Sequence, residues 1–134
     1  LYPVTQGATT IWERWNSYTV ENGFGGNNNM NSFNHYSLGS VVSWLYETVL
    51  GIRRDEEYPG YKHFTLAPAM DAEGAFEYAG GGIDTPYGRI ESHWAKTENG
   101  WHYTCEIPGN TTATLILPDG TNKVLDNGKY EFDI

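Results

Sequence analysis

Residues 88–107 read GRIESHWAKTENGWHYTCEI, and this stretch decides the fold. In both halves every second side chain is apolar or small: Ile90, Ser92 and Trp94, then Trp101, Tyr103, Cys105 and Ile107. This period of two predicts a pair of half-buried β-strands. The intervening Glu98-Asn99-Gly100 predicts a hairpin turn, because Asn-Gly tolerates the positive φ angles of a type I′ turn.

Short alternating segments separated by turn residues continue on both sides of this hairpin. Further strands are predicted at His63–Leu66, Ala75–Tyr78, Ala113–Leu117, Lys123–Leu125 and Tyr130–Ile134. Asp119-Gly120 and Asn127-Gly128 are predicted turns, and the run Gly80-Gly81-Gly82 is expected to lie between strands. Six or seven short antiparallel strands predict a small β-sandwich with Trp94 and Trp101 in its core.

The pattern before residues 58–61 is helical instead. Apolar residues recur there at spacings of three, four and seven: Leu38, Val41, Val42, Leu45, Val49 and Ile52. They predict an amphipathic helix that ends at Gly51 and is capped at its start by Asn31 or Ser32. Trp44 widens the apolar surface, so we expect Trp44 to be buried and the helix to have neighbours on more than one side. The predicted fold class is therefore mainly β, with a helical part before an antiparallel sandwich.

Composition and charge exclude several kinds of partner. The 134 residues carry a formal net charge of −9, which argues against nucleic acid and against anionic membrane surfaces. No run of eighteen apolar residues is present, so no membrane span is predicted. The first residues, Leu1-Tyr2-Pro3-Val4, lack an initiator Met and lack the pattern of a signal peptide. We therefore expect the chain to be a piece of a longer protein. Cys105 is a lone cysteine, which excludes an intramolecular disulfide and leaves the cellular compartment open.

Two short segments carry the candidate site. Residues 7–15 read GATTIWERW and set the Glu13 carboxylate between Trp12 and Trp15. Indole rings stack on sugar rings, and a carboxylate moves protons or activates water. A second aromatic and polar cluster, MNSFNHY, follows at residues 30–36 and contains His35. Together the two clusters favour a carbohydrate site.

Structural roles compete with this interpretation. Thr10 and Glu13 also have the spacing of a capping box, in which Glu13 would bond back to the Thr10 N–H. By position alone His35 is a surface or helix-capping residue. The other histidines are scattered and lack metal-ligand spacing, and the acidic run 55–57 is typical of a solvated linker. We expect no metal and no cofactor.

The chain resembles the C-terminal end of bacterial α-L-rhamnosidases. The resemblance covers nearly the whole chain in order and lies in residues 8–15, 30–36, 39–41, 44–45, 59–63, 85–94 and 107–113. It implies an (α/α)6-barrel catalytic domain followed by a C-terminal β-sandwich. Residues 1–57 would be the end of the barrel, and residues 58–134 would be the sandwich.

The resemblance also implies hydrolysis of terminal α-L-rhamnose with inversion. By position, Glu13 matches the general base, His35 a histidine near the rhamnose hydroxyls, and Trp12 and Trp15 aromatic residues around the pocket. Asn16 stands where the family pattern has Asp. No segment matches the family's general acid, so the chain alone is expected to be inactive and to need the rest of the catalytic domain.

Two further functions compete with a share in catalysis. One is a sugar-binding module, which would need a row of exposed aromatic residues on one sheet; Trp94 and Trp101 have apolar neighbours, which favours the core instead. The other is a structural role, in which residues 58–134 support the barrel, and this is the favoured interpretation of the sandwich. The apolar helix predicts that the chain alone folds it onto the sheet or forms a homodimer through it.

Overall fold

The structure, a computed structural model, describes residues 2–25, 29–70, 74 and 76–134. The chain divides into two compact units, Leu1–Val42 and Ser43–Ile134, called unit 1 and unit 2 below. Within the described ranges, every helix is too short or too polar to cross a membrane.

Unit 1 is held together by pairing between two irregular segments. It contains the short helices α1, Tyr2–Thr5, and α2, Tyr36–Gly39. Between them, the Glu13 N–H donates to the Ser32 carbonyl at 2.8 Å, and the His35 N–H donates to the Ile11 carbonyl at 2.9 Å. The two clusters that the sequence singled out therefore lie side by side.

The predicted long helix is a series of short helical segments. After α2 come α3, Val41–Trp44, and a π-helix, Leu45–Val49, whose last turn closes with the Leu50 N–H on the Leu45 carbonyl at 2.9 Å. The predicted end is confirmed, since Gly51 follows the last helical residues with a φ of 72°.

Two details of that helix prediction are wrong. The cap is His35 rather than Asn31 or Ser32, because Ser32 pairs through its backbone with Glu13 and the chain turns helical only at Tyr36. Trp44 is 49% exposed, because no described part of unit 2 covers its face of the helix. The apolar surface of these segments is thus largely open.

Unit 2 is a β-sandwich of two four-stranded sheets. One sheet has the order β1-β2-β6-β7, with β1 Ile52–Arg54, β2 His63–Leu66, β6 Thr112–Ile116 and β7 Asn122–Leu125. The other has the order β3-β4-β5-β8, with β3 Tyr78–Thr85, β4 Gly88–Thr97, β5 Gly100–Ile107 and β8 Gly128–Asp133. A short 3-10 turn, Pro59–Tyr61, precedes β2. The strand pairs are antiparallel except β2 with β6, which is parallel.

The core lies between the two sheets and confirms the alternation read from residues 88–107. Fully buried side chains come from both sheets: Phe64, Leu66, Ile90, Trp94, Tyr103 and Leu115. Trp94 is buried as predicted, while Trp101 is partly buried, with its ring centroid 5.2 Å from that of Trp94. The mainly β fold class, with a helical part first, is confirmed.

Two details around β3 and β4 differ from expectation. The predicted strand Ala75–Tyr78 begins at a residue outside the described ones, and β3 starts only at Tyr78. Gly80, Gly81 and Gly82 lie inside β3 rather than between strands, because β4 approaches so closely that a Cβ at Gly82 would overlap the Ile90 carbonyl oxygen.

The hairpin between β4 and β5 is confirmed, with Thr97 opposite Gly100, but its predicted type I′ geometry is wrong. Among the described residues other than glycine, only Tyr61 and Asn110 have a positive φ, so Asn99 does not adopt it. Gly100, the first residue of β5, has a φ of 149°, so the position of this turn that requires glycine is residue 100.

Candidate functional site

Unit 1 encloses a cavity of about 470 Å³ around the predicted site segment. Its walls are Pro3, Val4, Thr10, Ile11, Trp12, Glu13, Arg14, Trp15 and Leu38. Three of the four predicted site residues, Trp12, Glu13 and Trp15, therefore share one cavity. Its volume lies in the range of small-ligand pockets.

Glu13 is a hydrogen-bond acceptor on this wall and not a helix cap. Residues 10–13 are not helical, and the Thr10 hydroxyl donates to the Phe33 carbonyl, so the capping-box alternative is wrong. The Glu13 Oε2 instead accepts the Ser32 N–H at 2.8 Å. With its side chain 22% exposed, Glu13 is fixed through one oxygen and keeps the other available.

His35 caps α2 and faces Glu13 at the same time. Its Nδ1 accepts the Leu38 N–H at 3.4 Å, so the ring proton of the neutral imidazole belongs on Nε2. That Nε2 lies 4.0 Å from the Glu13 Oε1. His35 is not among the described residues that line the cavity, although it lies beside Glu13. The structural and functional interpretations of His35 are thus compatible.

The two tryptophans differ in how they are held. The Trp12 ring packs edge-on against Phe33, with centroids 5.0 Å apart, and Phe33 packs in turn against Phe24 at 5.7 Å. Trp15 is 69% exposed. Trp12 is therefore a fixed wall, whereas the Trp15 indole presents open apolar surface of the kind that stacks on a sugar ring.

Sequence reasoning missed the apolar side of the cavity. Pro3 and Val4 from α1 and Leu38 from α2 complete it, although all three lie outside the two aromatic clusters. Their only signal was their apolar character, which does not distinguish a cavity wall from a core position.

Among the described residues that line the cavity, Glu13 carries the single carboxylate. Glu13 and Glu21 are the acidic residues of the unit 1 sequence, and Glu21 does not line the cavity. Within the described ranges, no three His, Cys, Asp or Glu side chains come together as a metal site. The arrangement can activate or orient one polar group beside an aromatic platform.

Comparison with known proteins gives consistent matches. Residues 51–131 match the model of the bacterial alpha-L-rhamnosidase C-terminal domain, and residues 1–49 match that of the bacterial alpha-L-rhamnosidase 6 hairpin glycosidase domain. An alpha-L-rhamnosidase of Alteromonas sp. (strain LOR) is 39% identical over 87% of this chain, and the match covers 12% of that relative. The chain thus spans about an eighth of the length of this curated relative.

Solved structures give the same result. The native α-L-rhamnosidase of Aspergillus terreus superimposes with a TM-score of 0.80 at 35% identity, covering 98% of this chain and 15% of that one. The Streptomyces avermitilis α-L-rhamnosidase, solved with L-rhamnose, gives 0.77 at 30% identity, covering 97% and 14%.

The relatives are glycoside hydrolases, and the helical part and the sandwich of this chain match two of their domains. The chain belongs to the bacterial α-L-rhamnosidase family and corresponds to its C-terminal region.

Proposed function

We propose that this chain is the C-terminal part of an α-L-rhamnosidase that removes terminal, non-reducing α-L-rhamnose from glycosides or polysaccharides with inversion. Residues 1–57 would complete the (α/α)6 barrel, and residues 58–134 would form the sandwich that closes the enzyme. The observation that carries the proposal is the Glu13 carboxylate, which shares one cavity with Trp12 and Trp15 and has His35 beside it.

Glu13 is the general base of the proposed reaction. An inverting glycosidase uses one carboxylate to take a proton from water as that water attacks the anomeric carbon. The Ser32 N–H on Oε2 orients the carboxylate and leaves Oε1 for the water. A carboxylate held through one oxygen, with the other oxygen left as an acceptor, supports this role.

Trp12, Trp15 and His35 bind the sugar in this proposal. The exposed Trp15 indole stacks on the apolar face of the rhamnose ring, while Trp12 forms a rigid wall. His35 carries its neutral-state proton on Nε2, next to Glu13, where it can donate to a sugar hydroxyl.

The general acid comes from outside these residues. Inversion needs two carboxyl groups roughly 6.5–9.5 Å apart, with the water and the sugar between them. The described lining of the cavity supplies only Glu13, so the chain alone is proposed to be inactive. The remainder of the catalytic domain is thus its required partner, and it would cover the exposed apolar residues of α2 and α3.

A two-part assay tests the proposal. The 134-residue chain should release no 4-nitrophenol from 4-nitrophenyl α-L-rhamnoside above the buffer rate. In the complete enzyme that the proposal requires, Glu13→Gln should lower kcat by about 10²–10⁴-fold, since the base then cannot accept a proton. Proton NMR of the first turnovers should show the β-anomer of rhamnose.

Glu21→Gln is the matched control, because it removes the other unit 1 carboxylate, which does not line the cavity, and it should leave kcat unchanged. Turnover by the chain alone would contradict the proposal that the general acid comes from elsewhere, and full activity of Glu13→Gln would show that Glu13 is not the base.

A further inference from the structure

Unit 2 has a second cavity, of about 550 Å³, at one end of the sheet β1-β2-β6-β7. It takes no part in the proposed catalysis. Four loop or strand-end segments line it, and the residues that matter are Asp55, Tyr58, His63, Asn110, Asp126 and Asn127. The cavity is thus built from the segment after β1, the start of β2, the turn before β6 and the turn after β7.

Its floor is a rigid polar surface. The two His63 ring nitrogens lie 2.7 Å from the Thr112 hydroxyl and 3.0 Å from the Thr114 hydroxyl, both on the neighbouring strand β6. Each nitrogen is engaged, so the imidazole is not a free metal ligand or base. The Tyr58 ring packs at 65° to this imidazole with centroids 5.6 Å apart and is 47% exposed. The half-exposed Tyr58 ring therefore packs against an imidazole that is held in place by two hydrogen bonds.

The rim carries side chains that have hydrogen-bonding capacity to spare. In the described part of the chain, the carboxylate of Asp126 and the amides of Asn110 and Asn127 have no hydrogen-bond partner, and all three residues are exposed. Such carboxylates and amides accept from, and donate to, neighbouring hydroxyl groups of a polyol.

The charges favour a neutral ligand. Among the described lining residues, Asp55 and Asp126 contribute two carboxylates and Lys62 the one ammonium. The Lys62 ammonium donates to the Asn110 carbonyl and lies 5.2 Å from the centroid of the Tyr87 ring. The negative excess disfavours anions. Among the described residues no three His, Cys, Asp or Glu side chains come together as a metal site, and both ring nitrogens of His63 are engaged.

We propose that this cavity binds a neutral pyranose unit of a glycan. The sugar ring stacks on Tyr58, and its hydroxyl groups bond to Asp126 and Asn127. A sugar bound there would hold a polysaccharide on the sandwich, whatever the catalytic role of unit 1.

An NMR titration of the 134-residue chain tests the proposal. Methyl α-L-rhamnopyranoside, methyl α-D-mannopyranoside and methyl β-D-glucopyranoside are added separately to ¹⁵N-labelled chain. At least one is expected to move the amide signals of residues 55–63 and 126–128 in a saturable way. Absence of movement there with all three sugars, or movement confined to unit 1, would overturn the proposal.

Matched variants identify the contact. Tyr58→Ala should weaken binding by about tenfold, as expected for loss of one stacked ring. Tyr78→Ala, which removes a 76% exposed tyrosine from the other sheet, should bind as the unchanged chain does. If Tyr58→Ala loses its signal dispersion, Asp126→Ala takes its place, with the same expected loss.

Unchanged affinity in a folded Tyr58→Ala or Asp126→Ala variant would refute the site. Because neither residue lies in unit 1, this outcome is separate from failure of the Glu13 proposal.

Discussion

The buried Ser92 hydroxyl forms hydrogen bonds with two other buried groups of the sandwich. It is fully buried on the inner face of β4, and its hydroxyl donates to the Leu50 carbonyl at 2.6 Å. The Tyr103 hydroxyl oxygen lies 3.2 Å from the Ser92 Oγ. Ser92 therefore satisfies a carbonyl at the end of the π-helix and the phenol of a core tyrosine, whose burial raises its pKa.

We expect Ser92→Ala to lower the free energy of unfolding by about 1–3 kcal/mol, because the Leu50 carbonyl would stay buried without its donor. Urea denaturation followed by tryptophan fluorescence measures the loss. Ser43→Ala is the control, since Ser43 is exposed, and it should change little. Equal stability of the two variants would contradict this role.

Sequence reasoning at the residue scale located the site but not its bonding. The composition of residues 7–15 was enough to place Trp12, Glu13 and Trp15 together. The partner of Glu13 was not predictable from local spacing, because Ser32 lies nineteen residues away and the contact depends on two irregular segments pairing. The capping-box pattern was misleading, since it presumes a helix that does not form at Thr10.

Among the elements, β3 depends on glycine where it faces β4. We expect Gly82→Ala to lower the free energy of unfolding by about 1–3 kcal/mol, because the new methyl group would overlap the Ile90 carbonyl oxygen and force the two strands apart. Gly109→Ala is the matched control, since a Cβ there meets open space. Thermal unfolding measures the Tm of both variants. An equal Tm for the two would show that β3 tolerates a side chain at residue 82.

β5 and the C-terminal strand β8 are linked by a charge pair that responds to pH. The His102 Nδ1 lies 2.7 Å from an Asp133 oxygen, and this hydrogen bond raises the pKa of His102 above its ordinary value of 6.5. Because the folded-state pKa is raised, the pair stabilises the fold fully below pH 6.5 and loses this effect as pH rises through the folded-state pKa.

His102→Gln should therefore cost stability at pH 5.5 and almost none at pH 8.5. The pair is solvent-exposed, so the cost is about 1 kcal/mol or less. Urea unfolding of both proteins at the two pH values measures it, and Asp133→Asn should show the same trend. A cost that does not change with pH would rule out the pair as its source.

The strands were more predictable than the helical segments. Alternation gave β4 and β5 to within a residue, because one face of each strand is buried and the other is solvated. The glycine run in β3 was misread, since a turn residue and a residue required by close strand packing look alike in sequence. The parallel pairing of β2 with β6 left no local signal, because it joins residues about fifty positions apart.

At the scale of the whole molecule, the chain exposes an unusual amount of apolar helix. Residues at least 38% exposed include Tyr36, Leu38, Val41, Val42, Trp44 and Leu45. Large exposed apolar surfaces mark association sites in soluble proteins. The remainder of the proposed barrel would cover them in the complete enzyme.

Without that remainder, we expect the chain to self-associate through these residues. Sedimentation velocity should show a dimer, and the double variant Val41→Lys, Leu45→Lys should sediment as a monomer because the charges oppose burial. Val20→Lys alters an apolar residue that is 69% exposed and lies outside these helical segments, and this variant should remain dimeric. A stable monomer of the unchanged chain would contradict the prediction.

The parallel pair β2–β6 also sets the order in which the sandwich can assemble during synthesis. β3, β4 and β5 are joined by tight connections and can pair as soon as each leaves the ribosome. β2 leaves it much earlier, yet its inner neighbour β6 is translated some fifty residues later. Until then the edge of β2 that later pairs with β6 is open, and a nascent chain stalled before residue 112 would carry it as a site for aggregation.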